Sequence, residues 1–275
     1  MSRVTAKSEP GADCQHGLRT PCESGFFTAM REYATLVVGY GVLGIGCVAF
    51  SLVALPLNFV LRDRQRNWLG RRMAMHGFRA YLFGLERIRA AQFDLCALDP
   101  LRDRGPLIIA ANHPGLLDAP MIVSRLPNVV CLVKSSLLRS IFWGAGARLS
   151  GYISNDWFLG SVSLAVEELE YGSQILLFPE GTRTEMTPLN PFRTGAAYIS
   201  YRSRVPIQTV IVEQDTNFLG KDYPFFRRPG MPMHFRVRLG VRFDPPDDPR
   251  VFTDTLRDYF IAELARNSRA LPSER

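Results

Sequence analysis

The chain has 275 residues, 47% of them hydrophobic, and a net charge of +7. That is enough for one large domain or two small ones with an ample core, and the charge points to an anionic partner, nucleic acid or membrane. No zinc-finger spacing, basic-region helix or RNA-binding signature is present, so nucleic acid has no specific case, and the five scattered cysteines lack metal spacing and fit a reducing compartment.

Residues 1–30 are mixed in charge and rich in small polar residues, Gly and Pro, and read as a disordered tail. From Ala34 to Leu61 no residue is charged. As a helix this run is about 42 Å long, against a hydrocarbon core of roughly 30 Å. A tilted spanning helix fits, and so does a re-entrant pair broken at the glycines or Pro56. Apolar residues surround the whole circumference, which disfavours an ordinary core helix. A cleaved signal peptide is disfavoured by the late start and by the acids upstream. Arg62, Arg64, Arg66, Arg71, Arg72 and Arg79 follow, and this bias places the C-terminal part on the cytoplasmic side of the membrane. Between Trp68 and Leu85, apolar residues mix with arginines, as in a helix lying in a headgroup layer or one packed on the domain. Residues 31–85 are thus expected to form a membrane anchor with a juxtamembrane amphipathic helix, and residues 86–270 the main domain.

In that domain short apolar runs alternate with helical patterns. Strands are predicted at Gln92–Leu98, Leu107–Ala111, Val129–Val133, Ser150–Ser154, Gln174–Phe178, Ile207–Glu213 and Phe235–Leu239. Helices are predicted near Ser136–Arg148, Val162–Tyr171 and Thr194–Tyr201, with a last one after Asp248-Pro249. The alternation predicts an α/β fold: a mostly parallel central sheet flanked by helices, with an N-terminal membrane-embedded helical segment. Ligands of such sheets sit at the carboxyl ends of strands.

Two stretches fall at such ends. In Asn112-His113-Pro114-Gly115-Leu116-Leu117-Asp118 the His follows a strand and the Asp precedes a helix. In a continuous helix residues five apart diverge by about 140°. The Pro-Gly turn lets the chain fold back, so the carboxylate can meet the imidazole, fix its tautomer and leave the other nitrogen free to take a proton. Asp118 also reads as a plain helix N-cap. In Phe178-Pro179-Glu180-Gly181-Thr182-Arg183, Gly allows close backbone approach and Arg183 offers a two-donor grip on an oxyanion. A strand-to-loop turn with a surface Arg has the same pattern.

Together the N-H-x4-D stretch and F-P-E-G-T-R resemble the glycerolipid (lysophospholipid) acyltransferase family, of the 1-acylglycerol-3-phosphate acyltransferase type. Lys134 with Gly151-Tyr152-Ile153, then Pro191–Ala196 and Val205-Pro206-Ile207, resemble its further blocks over roughly residues 70–215. The resemblance implies a membrane-bound enzyme without cofactor or metal. It moves a fatty acyl group from acyl-carrier protein or acyl-CoA to a lysophospholipid hydroxyl, and its partners are membrane lipids rather than nucleic acid. His113 and Asp118 become the catalytic pair. Glu180, Gly181, Thr182, Arg183 and Lys134 become acceptor- or phosphate-binding residues, and backbone N–H groups near Gly181 the oxyanion donors. One departure stands out: the family's second block reads Gly, then five residues, then Arg, and here Trp157 stands at that last position. That implies an alternative acceptor, such as a hydroxyacyl amino-acid lipid, acylated in preference to lysophosphatidic acid. A non-catalytic lipid-binding scaffold of the same fold is the other alternative. A hydrolase lacks its Gly-x-Ser-x-Gly elbow.

Overall fold

The computed structural model describes residues 25–270 except positions 142, 187, 217, 222, 225 and 226. Residues 1–24 of the expected tail lie outside the described residues. Helix α1, Phe26–Val60, starts within the stretch read as tail and continues through Pro56 without a break. At 35 residues it is about 52 Å long. Helix α2, Asp63–Arg87, follows directly.

Beyond them lies a sheet of seven strands: β1 Ala91–Asp94, β2 Leu107–Ala111, β3 Val129–Val133, β4 Ile153–Ser154, β5 Gln174–Leu177, β6 Ile207–Gln214 and β7 Met233–Phe243. Their order is β1-β7-β6-β2-β5-β3-β4, and every neighbouring pair is parallel except β6 with β7. The mostly parallel sheet read from the sequence is therefore present. β2 and β5 are buried along their whole length, as expected where helices cover both faces. Successive residues serve opposite faces. Ile109, Ala111, Leu176, Val210 and Val212 pack toward α2 and the short α3, Asp118–Val123. Ile108, Ala110, Ile175, Ile207 and Ile211 pack toward α6 (Phe158–Glu170), α7 (Gly195–Ser203) and α8 (Pro249–Ala270).

Several boundaries differ from the sequence reading, each for a local reason. The strand expected over Gln92–Leu98 ends at Asp94, and Cys96–Leu101 is a 3-10 turn. Leu95, Leu98 and Leu101 are all buried, and a spacing of three suits that turn rather than a strand. The helix expected at Ser136–Arg148 is two, α4 Ser135–Leu138 and α5 Gly144–Leu149. The Arg148 guanidinium turns back to donate to the Leu138 carbonyl, satisfying the end of α4. β4 keeps two residues of the five predicted, whereas β7 extends to eleven because β6 pairs with it along most of its length.

The arginines after α1 do not form one solvated cluster. Arg71 is only 5% exposed. It pairs with Glu168 of α6 at 2.8 Å and donates to the Ser150 carbonyl, Asn128 and the Ser173 hydroxyl. Arg64 lies over the Tyr171 ring. α2 thus packs one face on the domain. Removing one partner of a buried ion pair leaves the other charge uncompensated. Arg71→Ala is expected to destabilise the protein by about 3–5 kcal/mol, read as a lowered urea midpoint with an unchanged slope.

Candidate active site

The Asn112–Asp118 stretch leaves the carboxyl end of β2, next to β5 on one side and β6 on the other. Asn112 is buried and pins this end in place. Its amide donates to the Val212 carbonyl at 2.9 Å, and its carbonyl accepts the Val212 N–H at 2.8 Å. The side chain thus continues the ladder where the backbone turns away.

The chain folds back over Pro114-Gly115 as the sequence allowed. His113 Nδ1 meets Asp118 Oδ2 at 2.7 Å, and the same oxygen accepts the Gly115 N–H at 2.8 Å. Asp118 is the first residue of α3, and its side chain caps no helix N–H group, so the plain N-cap reading does not hold. The Asp118 side chain is fully buried. Burial pushes its carboxyl above the usual range, while the bonds from His113 and Gly115 pull it down. The His113 ring stacks on Phe178, with centroids 4.0 Å apart and planes 18° apart. With Nδ1 engaged and the ring clamped, Nε2 is left without a protein partner among the described residues.

The Phe178–Arg183 loop lies beside it, held by Glu180. This carboxylate is 3% exposed. One oxygen accepts the His113 N–H at 3.1 Å and the Thr184 hydroxyl at 2.9 Å, and the other accepts the Asn190 N–H at 3.0 Å. The acceptor contact expected of Glu180 is therefore not available: the side chain points into the protein and joins the two loops. Gly181 has φ +70°, and a Cβ there would lie 2.6 Å from Arg193 Nε, so only glycine fits beneath that guanidinium. Its N–H donates to the Phe178 carbonyl at 2.9 Å and is not free for an oxyanion. The neighbouring N–H groups of Thr182 and Arg183 have no acceptor among the described residues. Arg183 Nη1 donates to the carbonyls of Leu219 and Gly220 at 2.9 and 3.1 Å.

Both loops open on a cavity of about 1460 Å³ that runs from His113 between the sheet and the α1–α2 pair. This exceeds the usual size of a small-molecule pocket. Leu43, Phe50, Met73, Leu116 and Val123 are among its apolar walls, and Lys134, Arg183, Arg193 and Lys221 supply cations. At the inner wall the buried Cys131 thiol is pushed up to about 12 and the Tyr152 phenol is raised too, so both stay neutral. Thr182 lines the cavity and Glu180 does not. Trp157 does not either: it packs over Gly160 at the start of α6 and is 73% exposed. A headgroup in the cavity is not read by Trp157, which removes the structural basis for the alternative acceptor drawn from it. No group of His, Cys, Asp and Glu among the described residues is arranged to hold a metal ion.

A histidine base with one nitrogen fixed by a buried carboxylate, at the carboxyl end of a parallel sheet and facing a long apolar cavity with cations, defines an α/β lipid-modifying enzyme. The chain matches the profile of the acyltransferase family over residues 92–213, the stretch that holds both loops. Over 222 residues it is 27% identical to mouse 1-acyl-sn-glycerol-3-phosphate acyltransferase alpha, covering 75% of this chain and 73% of that protein. It is 25% identical over 231 residues to 1-acyl-sn-glycerol-3-phosphate acyltransferase of Saccharomyces cerevisiae, covering 80% and 73%. It is 28% identical over 166 residues to the Caenorhabditis elegans protein described as 1-acyl-sn-glycerol-3-phosphate acyltransferase acl-2, but spans only 59% of that protein's length. The crystal structure of the 1-acyl-sn-glycerophosphate acyltransferase PlsC from Thermotoga maritima shares the fold, with a TM-score of 0.67 at 17% identity over 87% of this chain and 97% of that one.

Sequence reasoning missed three features of the site. The stacking of Phe178 and the ladder made by Asn112 concern residues inside the recognised motifs, but their partners are set by the sheet order. Lys221 lies far from any motif, and nothing in the sequence marked it.

Proposed function

We propose that the protein transfers a fatty acyl group from an acyl thioester, on acyl-carrier protein or coenzyme A, to the free hydroxyl of 1-acylglycerol-3-phosphate. His113 Nε2 takes the hydroxyl proton while Asp118 holds the ring and stabilises the imidazolium. The alkoxide attacks the thioester carbonyl, the tetrahedral oxyanion collapses, the C–S bond breaks, and the thiolate leaves with the proton from His113. No acyl-enzyme is needed. The unengaged N–H groups of Thr182 and Arg183 are the nearest backbone donors for the oxyanion. Lys134, Arg183 and Arg193 suit the phosphate, and the apolar walls suit acyl chains. The observation that carries this reading is the 2.7 Å His113–Asp118 contact at the mouth of an apolar, cation-bearing cavity. The test is purified protein with labelled acyl-carrier protein or acyl-CoA and a panel of lyso-lipids. Wild-type transfer to 1-acylglycerol-3-phosphate with release of free thiol is expected, and hydrolysis without transfer overturns the reading.

The same reading places the protein on a membrane, its catalytic domain in the cytoplasm. α1 is long and apolar enough to cross a bilayer, and Val38, Val42, Ile45, Leu52 and Phe59 on it are exposed. Yet both of its ends are tied to the domain. Glu32 pairs with Arg228 at 3.0 Å, and Asn58 donates to the Ala145 carbonyl of α5 at 3.1 Å. A helix held at both ends by one domain suits a half-submerged anchor with its exposed face in lipid. The protein is expected to stay with the membrane in carbonate extraction. Single cysteines placed at Gly25 and Arg62 of a variant lacking the native ones should both react with an impermeant maleimide from the cytoplasmic side. Labelling from opposite sides means that the helix spans instead.

A further inference from the structure

We propose that Lys221 reads the charge of the acceptor headgroup, and that Glu185 is the internal counter-charge that occupies it until an anionic headgroup displaces it. This rests on the acceptor reading above and assigns a specificity role to a residue outside every recognised motif. Lys221 belongs to the segment between β6 and β7, which passes over the His113–Asp118 turn. A Cβ on Gly115 would lie 3.0 Å from Gln214 Oε1 and 3.6 Å from the Phe218 carbonyl oxygen. Leu219 adopts a left-handed backbone, φ +62°, uncommon for a leucine and typical of positions over-determined by their surroundings. There the surroundings are Arg183 Nη1, which holds both the Leu219 and the Gly220 carbonyls. The next residue is Lys221, whose side chain lines the cavity with Arg183 and Arg193.

The Lys221 ammonium pairs with the Glu185 carboxylate, which comes from the loop following Arg183. Glu185 is fixed through its backbone N–H, which donates to Asn190 Oδ1 at 3.1 Å, and Asn190 in turn is tied to Glu180. The pair thus joins the β6–β7 segment to the loop whose other end borders His113. Both side chains are about two-fifths exposed, at 41% and 40%. An ion pair this open is weakly held. A phosphate monoester carries more negative charge than a carboxylate and offers more acceptor oxygens, so it outcompetes Glu185 for the ammonium. An uncharged acceptor does not, and it leaves the pair closed across the cavity rim. The consequence is a preference for anionic acceptors that appears in KM.

The experiment compares 1-acylglycerol-3-phosphate with 1-monoacylglycerol of the same chain, using full-length wild type, Lys221→Met and Glu185→Gln in detergent micelles. Lys221→Met is expected to lower the ratio of kcat/KM, phosphate over neutral acceptor, by about tenfold, mostly through KM. Glu185→Gln is expected to raise the same ratio by about threefold, because the competitor is gone. The proposal is overturned if Lys221→Met lowers kcat/KM for both acceptors equally, or if Glu185→Gln moves the ratio in the same direction as Lys221→Met. Should wild type acylate neither acceptor, the acyl-transfer reading fails by itself. Titration with short-chain 1-acylglycerol-3-phosphate then still decides the role of Lys221, since equal dissociation constants for wild type and Lys221→Met overturn it.

Discussion

His113→Ala is expected to lose about a hundredfold to ten-thousandfold of kcat, the usual worth of a general base, while the protein still folds and binds membranes. The ring carries one backbone-independent bond, to Asp118, so its removal leaves a local gap rather than a broken sheet. Asp118→Asn tests the same unit from the other side. An amide facing Nδ1 favours the tautomer with its proton on Nε2, and Nε2 then cannot accept the acceptor's proton. The raised carboxyl of Asp118 means that its charge costs the folded state stability at pH values above the raised value, and that cost is relieved as pH falls through it. Replacement by Asn removes the charge, so turnover should collapse while the melting temperature is kept. Single-turnover measurement of thiol release, with thermal unfolding on the same samples, checks both halves. Near wild-type turnover in His113→Ala would remove the mechanism.

Glu180→Ala is expected to be damaging in a different way. It strips the acceptor from the His113 N–H, the Asn190 N–H and the Thr184 hydroxyl at once. Each buried donor left unpaired costs about 1–3 kcal/mol, so a loss of roughly 3 kcal/mol or more of stability is expected along with the loss of activity. A glutamate that only touched the acceptor would raise KM and leave stability alone. Urea unfolding of Glu180→Ala beside its kinetics separates the two roles, and an unchanged urea midpoint would return Glu180 to the acceptor.

The two glycines on which the loops turn show how sequence and tertiary structure divide the work. Pro114-Gly115 told, from local chemistry alone, that the chain could double back and bring Asp118 to His113, because a turn dipeptide restricts its own backbone. The apolar run at 107–111 likewise announced a buried strand, since a strand covered on both faces lacks polar positions. The motif residues, the α/β class and the long apolar helix at the N-terminus were all open to that kind of reasoning. What Glu180 does was not. In sequence it sits in a loop beside Arg183, where a carboxylate facing a ligand and one facing the interior look the same. Only the sheet order, with β2 between β5 and β6, brings the His113 N–H within its reach. Trp157 shows the same division: spacing placed it at a family position, but its direction depends on the packing at the start of α6. Arg71 read as one of a row of cations that set orientation, and its burial depends on Glu168, nearly a hundred residues away. Local chemistry determined which elements form and which groups are reactive. Direction, partnership and the approach of Lys221 to the cavity came from long-range packing, because a side chain's surroundings are set by segments that its own sequence neighbourhood does not contain.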